Sequence, residues 1–183
     1  MFKPLFSFAA LLSLSTPCIA AEIDLENSSI TWTGSKITGS QHTGTISPKS
    51  SDISVADGSV QSGSIVFDMD TITVTDLEGK WATKFLTHMK SEDFFNVAKF
   101  PTATLEIKEN ASGKMKGDLT IMGVSQPFSF DAQREDGKYV GKTSFDRTKF
   151  GITYGSGNFF QGLGDKVIND TVEVSFVIAL SGE

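Results

Sequence analysis

The sequence predicts an all-β domain with a small helical insertion, built as an eight-stranded antiparallel barrel. Three observations carry this. Apolar side chains recur at every second residue over much of the chain, the period that turns one face of a strand toward a core. Turn-forming pairs fall between those runs. The stretch from Asp76 to Met89 switches instead to a helical spacing.

The clearest alternating run is Thr171 to Leu180. Val172, Val174, Phe176, Ile178 and Leu180 face one way, and Thr171, Glu173, Ser175 and Val177 the other. That is the pattern of a half-buried antiparallel strand. Comparable runs occur at Ile30 to Trp32, Lys36 to Ile46, Val60 to Met69, Thr102 to Lys108, Lys114 to Met122, Gln126 to Gln133 and Lys138 to Phe145, which makes eight strands. Asp57-Gly58, Asn110 to Gly113, Met122-Gly123 and Asp136-Gly137 supply the turns. An Asp-Gly pair between two alternating runs signals a hairpin, because Gly reaches positive φ without a Cβ clash. Eight consecutive strands joined by short turns suit an up-and-down barrel, which removes unpaired edges. A two-sheet sandwich satisfies the same alternation and stays open as the alternative.

Leu77, Trp81, Phe85 and Met89 recur every fourth residue, one face of a helix. Asp76 is placed to cap its first turn. A second short helical turn is expected over Ser91 to Asn96. Thr148 to Asp170 reads as a long Gly-rich connection, and connections of that length usually carry function.

Residues 1–20 read as a cleaved signal peptide and residues 21–183 as one domain. Lys3 precedes a short apolar run, Leu5 to Leu14, then Pro17 and small residues at Cys18 and Ala20. The run is too short to span a bilayer, and the pattern fits export with a cut before Ala21. Ser15-Thr16-Pro17 does not resemble the approach to a lipidated cysteine. Cys18, the chain's one cysteine, then leaves with the leader, so no disulfide, thiolate metal site or cysteine nucleophile is expected afterwards. The formal net charge is −6, with no basic cluster. Nucleic acid and anionic membrane surfaces are therefore expected to be poor partners.

His42 and His88 are the two histidines. Without cysteines they fall short of an ordinary zinc site, and neither metal nor cofactor is expected. Arg147 at a strand end has two open readings. Its planar fork of donors suits an anionic or carbonyl head group, or it pins the long connection through a carboxylate. GITYGSGNFFQG lacks the Lys-Ser/Thr ending of a phosphate loop and reads better as an aromatic flap over a mouth.

Four motifs, KITGSQHTGTI, HMKSEDFFNVAKFPTATL, GDLTIMGVSQPFSF and FDRTKFGITYGSG, follow one another along the chain. In order and spacing they resemble the YceI-like family of periplasmic polyisoprenoid-binding proteins, over nearly the whole length after the leader. The resemblance implies a lipocalin-like, eight-stranded barrel in the periplasm that holds a long apolar chain, a polyprenyl or quinone-like lipid or an amphiphile. It also implies a possible partner, a membrane cytochrome of the b561 type. Many relatives carry an acidic residue where this chain has Lys149, so its head-group preference is expected to differ.

On that reading the cavity walls are Phe67, Leu105, Leu119, Phe130, Phe145 and Phe176, with Trp81 and Phe85 of the helix as a lid. Ordinary core packing is the competing reading for each of these aromatic residues. His42, Arg147, Lys149, Tyr154, Phe159 and Phe160 are expected at the mouth. Binding without catalysis is the leading expectation. The alternatives are a module that docks on a membrane redox protein and an enzyme using His42 or Arg147 on a head group.

Overall fold

A computed structural model describes residues 18–181; the expected leader lies outside them up to residue 17. The β-segments are β1 (Ile19–Ala21), β2 (Ile23–Lys36), β3 (Gln41–Thr45), β4 (Ser47–Ala56), β5 (Ser59–Asp68), β6 (Thr102–Ala111), β7 (Lys114–Ile121), β8 (Val124–Asp131), β9 (Gln133–Glu135), β10 (Lys138–Asp146) and β11 (Ile168–Leu180). They form a six-stranded sheet, β1-β4-β5-β6-β7-β8, and a five-stranded sheet, β3-β2-β11-β10-β9. Every pairing is antiparallel.

These eleven segments are eight continuous strands, because three of the breaks are single residues. Glu22 separates β1 from β2, Ile46 separates β3 from β4, and Ala132 separates β8 from β9. At each, the chain leaves one sheet and enters the other, the bend by which packed sheets make corners. The bent backbone stays hydrogen-bonded: Ile46 N–H donates to the Ile30 carbonyl at 3.2 Å and Ala132 N–H to that of Gly113 at 2.8 Å. The two ladders stay separate, and the bent strands carry the barrel across its seams. β1 takes in Ile19 and Ala20, which pair with Val55 and Ser54.

Two strand boundaries differ from expectation. Lys36 to Ile46 is the end of β2, a turn and then β3; Lys36 N–H bonds the Ser40 carbonyl at 2.7 Å and Gly39 takes φ 86°. Ser47–Ala56 is a strand that the alternation did not reveal. Among its residues Ile53 and Val55 are buried, and the rest are mostly Ser, Lys and Asp. Its place is fixed by backbone pairing to β1 and β5.

Four two-residue hairpins have positive φ at both turn positions: Asp57 52° and Gly58 65°, Ser112 55° and Gly113 91°, Met122 51° and Gly123 74°, Asp136 49° and Gly137 79°. This backbone matches the right-handed twist of the strands it joins. Three of these turns, all but Met122-Gly123, lie at one end of the barrel, the closed end. The opposite, open end carries the β2–β3 turn, the helix and the segment from Arg147 to Val167.

The helix, α1, spans Gly79–Lys90 and is capped by the Glu78 backbone alone. Asp76 does not cap it. Its carboxylate accepts from Thr43 N–H at 2.9 Å and from the His42 ring at 2.8 Å, which ties the approach to α1 onto β3. Ser91 to Asn96 forms turns rather than a helix, with Phe94 and Asn96 N–H both donating to the Ser91 carbonyl. The long connection is also structured, with 3₁₀ turns at Arg147–Phe150 and Gly164–Lys166.

An apolar cavity with one polar end

The inward faces of the strands enclose a cavity of about 410 Å³, within the range of small-molecule sites. The alternation of β11 explains one wall, since Val172, Val174, Phe176, Ile178 and Leu180 all line it. Ala103, Leu105 and Ile107 of β6 and Met115, Leu119 and Ile121 of β7 line the facing wall. Phe85 and Met89 of α1 close over it from the open end.

Phe85 stacks on Trp32 with ring centroids 6.1 Å apart and planes 8° apart, and it meets the His42 ring at 4.8 Å. Gly44, paired with Trp32 across the ladder, leaves room for this stack: a Cβ there would lie 2.6 Å from Trp32 Cζ2 and would overlap the Thr73 carbonyl. The buried Trp32 Nε1–H has no acceptor among the described residues.

Most of the polar lining gathers at the mouth, where Ser35, Lys36, Ser40, His42, Arg147 and Asn169 reach the cavity; Thr143 and Tyr139 are the polar residues elsewhere on its wall. A carboxylate only accepts, so His42 holds a hydrogen on Nδ1, facing Asp76, and in the neutral ring Nε2 is an acceptor. For Asp76 burial acts to raise the pKa, but the bonds from Thr43 N–H and His42 outweigh it and hold the carboxyl below its ordinary value.

Arg147 is 2% exposed. It donates from Nε to the Asn169 carbonyl at 3.1 Å and from Nη1 to that of Ile152 at 2.7 Å. From Nη2 it donates to the Ile168 carbonyl at 3.1 Å and to the Asp170 carboxylate at 3.3 Å. Burial lowers its pKa, opposed by the charges of Asp170 and Asp146. Of the two sequence readings, this geometry is that of the loop pin, because most of the fork is spent on the connection.

The six expected wall residues, Phe67, Leu105, Leu119, Phe130, Phe145 and Phe176, line the cavity, as do Phe85 and His42. Five others lie off its lining. Trp81 is 61% exposed, because the first turn of α1 overhangs the barrel. Lys149 is exposed and offers only its carbonyl, which accepts from Gln126 Nε2 at 3.2 Å. Tyr154 packs edge-on against His88 at 4.6 Å, and Phe159 and Phe160 are 58% and 48% exposed. The sequence reading passed over Trp32 and Met89, though both sat in its apolar patterns. It also missed Ser35 and Lys36, at the end of β2, and Ser40, in the turn that follows.

Solved structures with the same fold include BcnA of Burkholderia cenocepacia, with TM-score 0.64 and 16% identity over 85% of this chain and 98% of that one. A polyisoprenoid-binding domain from Saccharophagus degradans gives TM-score 0.60 and 16% identity over 86% of this chain and 95% of that one. Among curated proteins, a UPF0312 protein of Yersinia enterocolitica is 42% identical over 50 residues, 25% of this chain and 26% of that protein. The match therefore spans about a quarter of that relative's length. The model of the YceI-like domain matches residues 22–180, the barrel from the start of its second strand segment to the end of its last, and the chain therefore belongs to the YceI-like family.

Proposed function

We propose that the cavity holds the apolar tail of an isoprenoid-type lipid, polyprenyl or quinone-like, and that the chain acts as its carrier in the periplasm. The observation that carries this is an apolar-walled space of about 410 Å³ with most of its polar residues at one end. Such a space separates a tail from water and leaves a head group at the mouth. The binding named for the Saccharophagus domain supports the same ligand class.

Removing one five-carbon unit from water gains roughly 3–4 kcal/mol. The competing solvent is the bilayer, which dissolves the tail about as well, so loading and release are near balance. A shuttle needs that balance. A quinone-like cargo would give a membrane cytochrome of the b561 type a reason to be the partner.

His42 is the residue that supports contact with a head group, through the Nε2 acceptor that Asp76 leaves available. The same pair is what an enzyme reading would use. It has less support, because no cluster of three metal-ligating side chains occurs among the described residues.

The test is mass spectrometry of an organic extract of protein purified from periplasm, with geranylgeraniol binding measured on the emptied protein. About one isoprenoid lipid per chain is expected, and Ala103→Phe, which fills the cavity, should weaken geranylgeraniol at least tenfold. Recovery of no lipid, together with no binding of the added alcohol, would end the carrier reading.

A further inference from the structure

The exposed apolar side chains are unevenly placed. Trp81, Tyr154, Phe159 and Phe160 are the large aromatic residues exposed among those described, and all four lie at the open end. Ile37, 58% exposed, stands at the tip of the β2–β3 turn there. Contacts bring these residues around one mouth. Ile37 N–H donates to the Val167 carbonyl at 3.2 Å, and Val167 also packs against Gly157, next to the loop bearing Phe159 and Phe160. Tyr154 joins that loop to α1 through His88. Trp81 lies seven residues before His88, about 10 Å back along the helix axis.

Helix α1 is also a local exception in charge. It carries Lys80, Lys84 and Lys90 and no carboxylate, in a chain of net charge −6. Lys90 is engaged with Asp70 at 3.7 Å. Lys80 lies over the Trp81 ring at 5.7 Å, and Lys84 is exposed. A cation beside an exposed indole is a pairing suited to the head-group layer of a membrane. The chain-wide negative charge opposes an anionic surface, but salt screens it beyond about 8 Å, so the residues at the contact decide.

We propose that the open end seats on an anionic lipid bilayer, with Ile37, Trp81, Phe159 and Phe160 entering the interfacial layer and Lys80 and Lys84 facing the head groups. The purpose of this contact rests on the lipid-binding reading, since a tail passing from bilayer to cavity through such a rim never crosses water. The whole-chain charge balance averages the feature away.

Trp81 is the exposed one of the chain's two tryptophans, so its fluorescence reports the contact. Vesicles of phosphatidylglycerol and phosphatidylethanolamine, some with brominated acyl chains, should shift the emission to the blue and quench it. Co-sedimentation with the vesicles should fall about tenfold in Trp81→Ser and again in Phe160→Ser. It should also fall in half-molar salt, and it should persist in Ala103→Phe, whose cavity is filled. If emission and sedimentation are unchanged by vesicles while geranylgeraniol still binds, the docking proposal fails alone. If neither vesicles nor geranylgeraniol bind, the lipid reading fails with it. A blue shift that follows protein concentration without vesicles, with a doubled mass in sedimentation, would give the rim to a second copy and overturn the proposal.

Discussion

The two ends of the barrel are held by different means. At the closed end each turn is two residues long and its shape is set within the turn, by positive φ at Asp57-Gly58, Ser112-Gly113 and Asp136-Gly137. Side chains finish it, with the Arg134 guanidinium donating to the Gly58 carbonyl and lying over the Tyr139 ring. Tyr139 OH donates to the Gly58 carbonyl and accepts from Val60 N–H, both at 3.2 Å, and Asn110 Nδ2 donates to the Val60 carbonyl at 2.7 Å. At the open end the connections are long, and their order depends on side-chain pins: Arg147 to Ile168, Asn169 and Asp170, Asn169 Nδ2 to Ser35 at 2.9 Å, and Asp76 to His42 and Thr43. A hairpin turn forms wherever its two residues are. A long-range pin forms only after the barrel has closed, and it is lost with one side chain. The fold thus combines a locally specified base with a mouth that single residues control.

The largest expected effect follows from that contrast. Arg147→Met keeps much of the stem's volume but removes donors from three carbonyls and leaves the Asp170 carboxylate, 17% exposed, without its cation. Breaking a buried pair in this way costs about 3–5 kcal/mol. Urea unfolding should show the loss, and hydrogen exchange should place it in the open-end segment, at the amides of Ile152 and Ile168, before the closed-end turns. A loss under about 1 kcal/mol, or one spread evenly over both ends, would erase the distinction.

Tyr139→Phe is the matching change at the closed end. It removes the donor to Gly58 and the acceptor for Val60 N–H, at a cost of about 1–2 kcal/mol. The Val60 amide should exchange faster, while geranylgeraniol affinity stays within twofold because the ring that lines the cavity is kept and the mouth is untouched. A weakened affinity equal to that of a mouth variant would show the two ends to be coupled.

The same contrast explains what the sequence made legible. Alternation and Gly-bearing turn pairs are local, so the count of eight strands and the positions of the four two-residue hairpins could be read directly, and β11 placed its five wall residues at once. β4 stayed hidden because a strand with two buried residues, Ile53 and Val55, leaves almost no alternation. The three corners at Glu22, Ile46 and Ala132 have no composition of their own. At the open end the aromatic residues were visible, but their destination was not. Trp81 shares the helical stripe of Phe85 and Met89 and differs only in lying one turn beyond the wall that would cover it. Asp76 looked like a cap by spacing and was taken instead by His42 and Thr43, from a strand more than thirty residues earlier. Side chains whose role depends on distant partners leave no periodic signal.

The smallest effect concerns Asp76 and separates the two ends by pH. Its folded pKa lies below its ordinary value, burial acting to raise it and the bonds from Thr43 N–H and His42 prevailing. A carboxylate lowered in this way stabilises the fold fully above its unfolded pKa, about 3.9. The contribution fades as pH falls through the folded value. The side chain is 38% exposed, and solvent screening limits the gain to about 0.5 kcal/mol. Asp76→Asn retains an acceptor for Thr43 N–H and removes the charge. Its thermal midpoint should lie slightly below the parent's at pH 7 and converge with it as pH falls through the folded value. A gap that widened on acidification would contradict the sign. The closed-end hydrogen bonds of Tyr139 and Asn110 involve no carboxylate, so the loss on acidification should appear at the Thr43 amide and not at that of Val60.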